Sequence, residues 1–239
     1  MVLFPLNSPK KAMEKAHLLD GSVGVLAGIV LGCLEQLESK DLGRAVAFLA
    51  KMIGHGPLAV QFVGKGLLDP NRMRRLLDSS SPKEATLGAL MIISDLALMD
   101  KGFYEFIDGA SILDVLRGFL SHEDRNVRAK ACNALGNMCR HSAYFYDSLA
   151  RYNMIGLLID RCADPDKRTR KFACFAIGNA AYHNDMLYEE LKRSIPQLSK
   201  LLLSAEDQDK TKANAAGALS NLVRNSNKLC EEIISKGAS

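Results

Sequence analysis

Ala134-Leu135-Gly136-Asn137 is followed by Ala176-Ile177-Gly178-Asn179 and then by Ala218-Leu219-Ser220-Asn221, three versions of one pattern at equal intervals of 42 residues. The register extends outward from these four positions. Ala131, Ala173 and Ala215 keep the same interval, and so do the basic residues Arg128, Arg170 and Lys212. Over residues 125–140, Ala131, Ala134, Leu135 and Met138 fall at i, i+3, i+4 and i+7, the spacing of one buried helical face. The small alanines let a neighbouring helix approach closely. The chain reads as a tandem array of helices.

A period of roughly 40 to 47 residues with helical spacing inside each unit belongs to the armadillo and HEAT class of stacked helical repeats. Each long helix is followed by a polar break, His141-Ser142, His183-Asn184 or Asn225-Ser226, then by a short helical stretch and a second apolar one. Residues 147–162 and 187–203 show this, with Pro196 suited to a first helical turn, where its missing N–H is not needed. Three helices per unit favour armadillo over HEAT, so the expected fold is an all-α, right-handed armadillo solenoid of about five to six repeats. The shared position of His141 and His183 points to a role at the helix end.

Carboxylates precede each long helix: Glu123 and Asp124, then Asp164 and Asp166, then Glu206, Asp207 and Asp209. There they complement the helix dipole and its unpaired amides. Residues 107–116 carry a Gly109-Ala110 turn, and glycine at a helix end tolerates the left-handed conformation that reverses the chain. Residues 19–26, around Gly21, repeat that stretch loosely. Stepping back 42 residues from Asn137 reaches Asp95, so a degenerate unit precedes the clear ones, and another spans roughly residues 41–77. One array over 1–239 is expected, degenerate over 1–120 and clear over 121–239. Its last repeat is cut short at Gly237-Ala238-Ser239.

Composition agrees with packed helices. Apolar residues make 48% of the 239, prolines number seven, and tryptophan is absent. A balance of 31 basic against 27 acidic residues is too mild to announce nucleic acid. Arg72, Arg74 and Arg75 form the densest basic patch, but Met73, Leu76 and Leu77 run through it at helical spacing, which reads as an amphipathic surface helix. The six cysteines include no CxxC pair and read as buried free thiols of a reducing compartment. No signal peptide or membrane-length apolar run is evident, and the chain reads as cytoplasmic.

A second stripe lies about 120° around the long helix from the buried one. It reads Asn126, Lys130, Asn133, Asn137, Arg140, then Arg168, Phe172, Phe175, Asn179, Tyr182, then Lys210, Asn214, Gly217, Asn221, Arg224, without one acid. Stacked repeats join such stripes into a ladder. An asparagine amide both donates to and accepts from an extended peptide backbone, and the bases favour acidic partners. Asn137, Asn179, Asn221, Lys130, Arg140, Arg168, Phe175, Tyr182 and Arg224 are the candidate docking residues. Two alternatives stay open: the asparagines bond backbone groups of their own array, and the bases solvate a face. Phe172 and Phe175 also fit a core.

Catalysis finds no support. The five histidines lack metal-ligand spacing, and neither GxSxG nor GxxxxGK[ST] occurs. Gly54-His55-Gly56-Pro57 and Gly64-Lys65-Gly66 lack the strand that a phosphate loop follows. No cofactor or metal is expected.

Residues 127–146, from Val127-Arg128-Ala129-Lys130 through Gly136-Asn137-Met138-Cys139-Arg140-His141 to Tyr144-Phe145-Tyr146, resemble the C-terminal armadillo region of Fused-family serine/threonine protein kinases, closest to its plant-type members. Residues 170–182 look like the repeat that follows there. The resemblance covers residues 120–239 and is thin before them. It implies a kinase with its catalytic domain at the N-terminus and this array at the C-terminus, recruiting partners such as kinesin-family motors. It further implies cytokinesis at the phragmoplast in plants, and Hedgehog signalling and motile cilia in animals. The alternative is an array that packs on its own kinase domain or on another copy of itself. The chain carries no glycine-rich ATP loop, VAIK, HRD or DFG, so kinase activity does not transfer to these residues. Importin-type armadillo proteins carry Trp four residues before the groove asparagine, where this chain has Asn133, Phe175 and Gly217. A receptor for basic localisation signals is not indicated.

Overall fold

The computed structural model describes residues 22–226, which are helical with no strand among them. The helices are α1 (Ser22–Gln36), α2 (Ser39–Ile53), α3 (Gly56–Gly64), α4 (Pro70–Leu77), α5 (Lys83–Met99), α6 (Tyr104–Gly109) and α7 (Leu113–Phe119). There follow α8 (Arg125–Met138), α9 (Tyr146–Arg151), α10 (Met154–Arg161), α11 (Lys167–Ala180), α12 (Tyr188–Leu191), α13 (Ile195–Leu203) and α14 (Asp209–Arg224). After α1, long helices begin at residues 39, 83, 125, 167 and 209, each but the last followed by two shorter ones. That is the three-helix armadillo unit, and the 42-residue register extends into α5, where Asp95 lies. The loose copy around Gly21, Cys230 and the final Gly237-Ala238-Ser239 lie outside the described residues.

The chain separates into two compact units, Met1–Val115 and Leu116–Ser239. In the first, α2 packs along α5 and α1 on α3. Gly88 permits the α2–α5 contact, because a Cβ there would stand 2.8 Å from Val46 Cγ1. Helix α4 buries Met73, Leu76 and Leu77. Two of its arginines are spent on structure: Arg75 donates to the carbonyls of Leu34 and Leu37 at 2.8 Å, closing the C-terminal end of α1, and Arg72 pairs with Glu35 at 2.6 Å. Two of the three cations in the basic patch are thus engaged within the fold.

In the second unit α11 packs between α8 and α14, with α10 against α11 and α13 against α14. Ala131, Ala134, Leu135 and Met138 are buried, as are Ala173, Ala176 and Ile177, and Ala215, Ala218 and Leu222. The repeated carboxylates divide into two roles. Asp124 and Asp166 cap α8 and α11, accepting from Asn126 N–H at 2.7 Å and Thr169 N–H at 3.0 Å. Asp164 and Asp207 instead clasp the arginine of the repeat before. Arg128 reaches both oxygens of Asp164, at 2.8 and 3.0 Å, and Arg170 reaches Asp207 at 2.7 Å. Asp209 is not a cap: it is already helical, and Gln208 precedes it without a side-chain bond.

The turn expectation needs correcting. Gly109 stays helical, and the left-handed residue is Ser111, with φ 54°; one period later Asn153 takes φ 49°. Asparagine tolerates that region better than most residues, and at both places a short helix ends and the unit's third helix begins. A second periodic signal surfaces beside it. Phe103-Tyr104 and Phe145-Tyr146 stand 42 residues apart, and all four side chains are buried.

Candidate docking groove

Helices α8, α11 and α14 place the second stripe along one side of the second unit, and inter-repeat bonds fix its members. Asn179 Nδ2 donates to the carbonyl of Gly136 at 2.7 Å, and Asn221 Nδ2 donates to Gly178 at 2.9 Å. Asn214 repeats the move two turns earlier, to Lys171 at 3.0 Å. Each donor reaches 43 residues back, one more than the period. Side chains on a helix lean toward its N-terminus, so an asparagine meets the carbonyl just before its own equivalent. That carbonyl's second lone pair takes the bond.

The Gly-Asn pair is therefore a joint. Gly136 lets α11 come close, since a Cβ there would lie 2.5 Å from a Phe175 ring carbon and 3.2 Å from Ala176 Cα. Its carbonyl then receives Asn179. The structural reading of the asparagines is realised at Asn179 and Asn221, but it uses one N–H of each amide. Oδ1 of Asn179 and of Asn221 has no hydrogen-bond partner among the described residues. Both side chains are half-buried, held in orientation with an acceptor and a donor to spare. Asn137 differs: at 4% exposure it belongs to the core, and the accessible ladder consists of Asn179 and Asn221.

The remaining candidates line the same side. Arg140, Arg168 and Arg224 are exposed, Lys130 and Phe175 are half-buried, and Tyr182 is 49% exposed. Arg168 bonds Asn126 Oδ1 at 2.6 Å, its equivalent one repeat back. Arg224 donates to the Tyr182 carbonyl and lies 4.4 Å over its ring. His183 fulfils the helix-end role, its Nε2 lying 3.2 Å from the carbonyls of Cys139 and Arg140 at the end of α8. Asn225 makes the matching bond to the Ala181 carbonyl.

Between the three helices lies a shallow pocket of about 290 Å³, lined by Asn133, Lys171, Phe172, Phe175, Lys210, Ala213 and Asn214. Phe172 and Phe175 are half-buried groove residues rather than full core, and α14 faces them with Lys210, Ala213 and Asn214. Lys171 does not fall on the stripe and was not legible as a site residue. It enters through its neighbour, with Nζ 4.3 Å from the Phe172 ring centroid.

Among the described residues no cluster of three or more His, Cys, Asp or Glu could hold a metal, and no helix is long and apolar enough to cross a membrane. Four thiols, Cys132, Cys139, Cys162 and Cys174, are buried and free.

Comparison with known proteins agrees with this architecture. Residues 112–142 match the HEAT repeat family. A designed armadillo repeat protein superposes with a TM-score of 0.79 over 88% of each chain at 21% identity. Another, solved in complex with the peptide (KR)4, gives 0.74 over 90% of this chain and 87% of that one at 19% identity. The chain has an armadillo-type fold. In sequence it is 66% identical over 233 residues to serine/threonine-protein kinase TIO of Arabidopsis thaliana, a match covering 98% of this chain. The chain spans only 18% of that relative's length. What the two share is an armadillo-repeat stretch, not a kinase domain.

Proposed function

We propose that this chain is a non-catalytic docking array, the C-terminal armadillo region of a Fused-type serine/threonine kinase. In this reading it holds a protein partner such as a kinesin-family motor for cytokinesis. The observation that carries it is the acid-free stripe, on which Asn179 and Asn221 are oriented by one internal bond each and keep an unused acceptor. Such an amide pairs with a partner's backbone without reordering itself, which lowers the entropy lost on binding. Tyr182 supplies apolar contact, and Arg140, Arg168 and Arg224 select acidic side chains. A (KR)4 peptide is the ligand of one designed armadillo protein; this stripe, being basic, would repel such a ligand.

The identity to an Arabidopsis kinase favours the plant setting over Hedgehog or ciliary work, and with it a cytoplasmic, cytoskeleton-associated location at the phragmoplast. The test is affinity capture from dividing plant cells on the wild-type chain and on the double variant Arg140→Glu, Arg168→Glu. A kinesin-family motor held by the first and lost by the second is the expected result. Equal capture by a folded variant would sink the reading.

A second reading has its own observation. Val25, Leu26 and Ile29 of α1 and Phe48 of α2 are more than half exposed, an apolar group suited to packing on a kinase domain or a second copy. Light scattering of the chain alone and mixed with the kinase domain separates the two readings.

A further inference from the structure

The pocket between α8, α11 and α14 has a chemistry narrower than the stripe around it. Its apolar part is the pair of rings Phe172 and Phe175, both half-buried, which α14 faces with Lys210, Ala213 and Asn214. Ala213 lines it, and a Cβ built on Gly217 would meet nothing within 4 Å. Its rim carries Lys171 and Lys210, while Asn133 and Asn214 supply amides; among the described residues no carboxylate lines it. Lys130 and Arg168, on the same stripe, add to the positive charge. A volume of about 290 Å³ lies at the lower limit for small-molecule sites, which run from roughly 300 Å³ upward. It suits one side chain better than a whole ligand.

We propose that this pocket is the specificity subsite of the groove, receiving one aromatic or large aliphatic side chain from a partner segment whose neighbouring residues are acidic. The inference rests on the docking reading above and names the partner's chemistry. The inserted side chain covers the ring surface that Lys171, over Phe172, and Gly136, against Phe175, leave open, and Asp or Glu beside it meets the two ammonium groups. Charge complementarity selects this occupant: a basic segment would bring like charge to Lys171 and Lys210, and an uncharged one would leave them unmatched. Asn214 Nδ2 is tied to the Lys171 carbonyl at 3.0 Å, which fixes α14 against α11 and keeps the pocket open in the free chain.

The test uses random short peptides displayed against the full chain, followed by fluorescence anisotropy with the best peptide made synthetically. Enriched peptides should carry Phe, Trp, Leu or Ile flanked closely by Asp or Glu. Ala213→Trp, which fills an exposed position, should weaken the synthetic peptide by roughly tenfold or more, the loss expected for one expelled apolar side chain. The double change Lys171→Glu, Lys210→Glu should weaken it similarly and abolish the acidic preference in a repeated selection. Thermal unfolding of each variant confirms that the fold persists. Peptides that bind both variants as tightly as wild type while losing affinity for Arg140→Glu, Arg168→Glu overturn the subsite and leave the docking reading intact; basic peptides overturn both. Peptides indifferent to every one of these variants overturn both.

Discussion

Asp164 shows how much one side chain depends on where the chain delivers its partners. Its carboxylate is fully buried, yet it accepts from Arg128 through two nitrogens, from Arg161 at 3.1 Å and from the Asp166 N–H at 2.9 Å. Burial opposes its ionisation, but hydrogen bonds from Arg128 and Asp166 together with the two guanidinium charges outweigh it, and the carboxyl stays below its usual range. The Asp164 hydrogen bond does the reverse for Arg128, raising it further. Removing one member leaves a largely buried charge without its counterion, so Asp164→Ala should cost about 3 kcal/mol in urea unfolding. The Lys40–Glu38 pair, about three-quarters exposed on both sides, is the contrasting case, since such exposed pairs contribute little. Because the native pKa of Asp164 is depressed, its contribution is complete above the unfolded-state value of about 3.9 and vanishes as pH falls through the lower native value. Wild type should lose stability faster than Asp164→Ala as pH drops below about 4. Parallel acid-unfolding curves would refute the assignment.

At the scale of the helix, the joint between repeats separates two glycines that look alike in sequence. Gly136 and Gly178 are one period apart, and both lend a carbonyl to an asparagine of the next long helix. Their surroundings differ. A methyl group at Gly136 meets the Phe175 ring and the Ala176 backbone of α11, whereas at Gly178 the nearest atoms belong to Ala218 at 3.5 to 3.6 Å, ordinary contact. Gly136→Ala should therefore destabilise by roughly 1–3 kcal/mol through overpacking. Gly178→Ala should be neutral or stabilising by up to about 1 kcal/mol, because alanine loses less backbone entropy in a helix. Differential scanning calorimetry of the two variants decides it; equal losses would mean that α11–α14 packing is as tight as α8–α11.

Across the second unit, burial of small and apolar side chains makes a core that also silences its thiols. Burial pushes Cys139 up to about 12 and Cys132 well above its ordinary value, while Cys162 is raised by its hydrogen bond with Cys174, 3.9 Å away, and by burial. Thiolate is the reactive form, so maleimide should modify exposed Cys33 in the native protein and reach the four buried cysteines only on unfolding. Mass mapping of early adducts at Cys139 or Cys174 would contradict this.

Much of this was legible beforehand. The 42-residue interval, the Ala131–Met138 face and the three-helix unit follow from spacing alone, since a helix turns by a fixed angle per residue and an array repeats its contacts. The Phe-Tyr pair at 103 and 145 was legible too, its signal being the same interval. The sequence alone could not say that Asn179 spends one N–H on Gly136 and keeps its oxygen, that Asn137 is buried, or that Lys171 borders a pocket. Periodicity fixes which side of a helix a residue occupies. Only the angle and closeness of the neighbouring helix decide whether that side is covered, and here Gly136 in one repeat and Phe175 with Ala176 in the next set that distance.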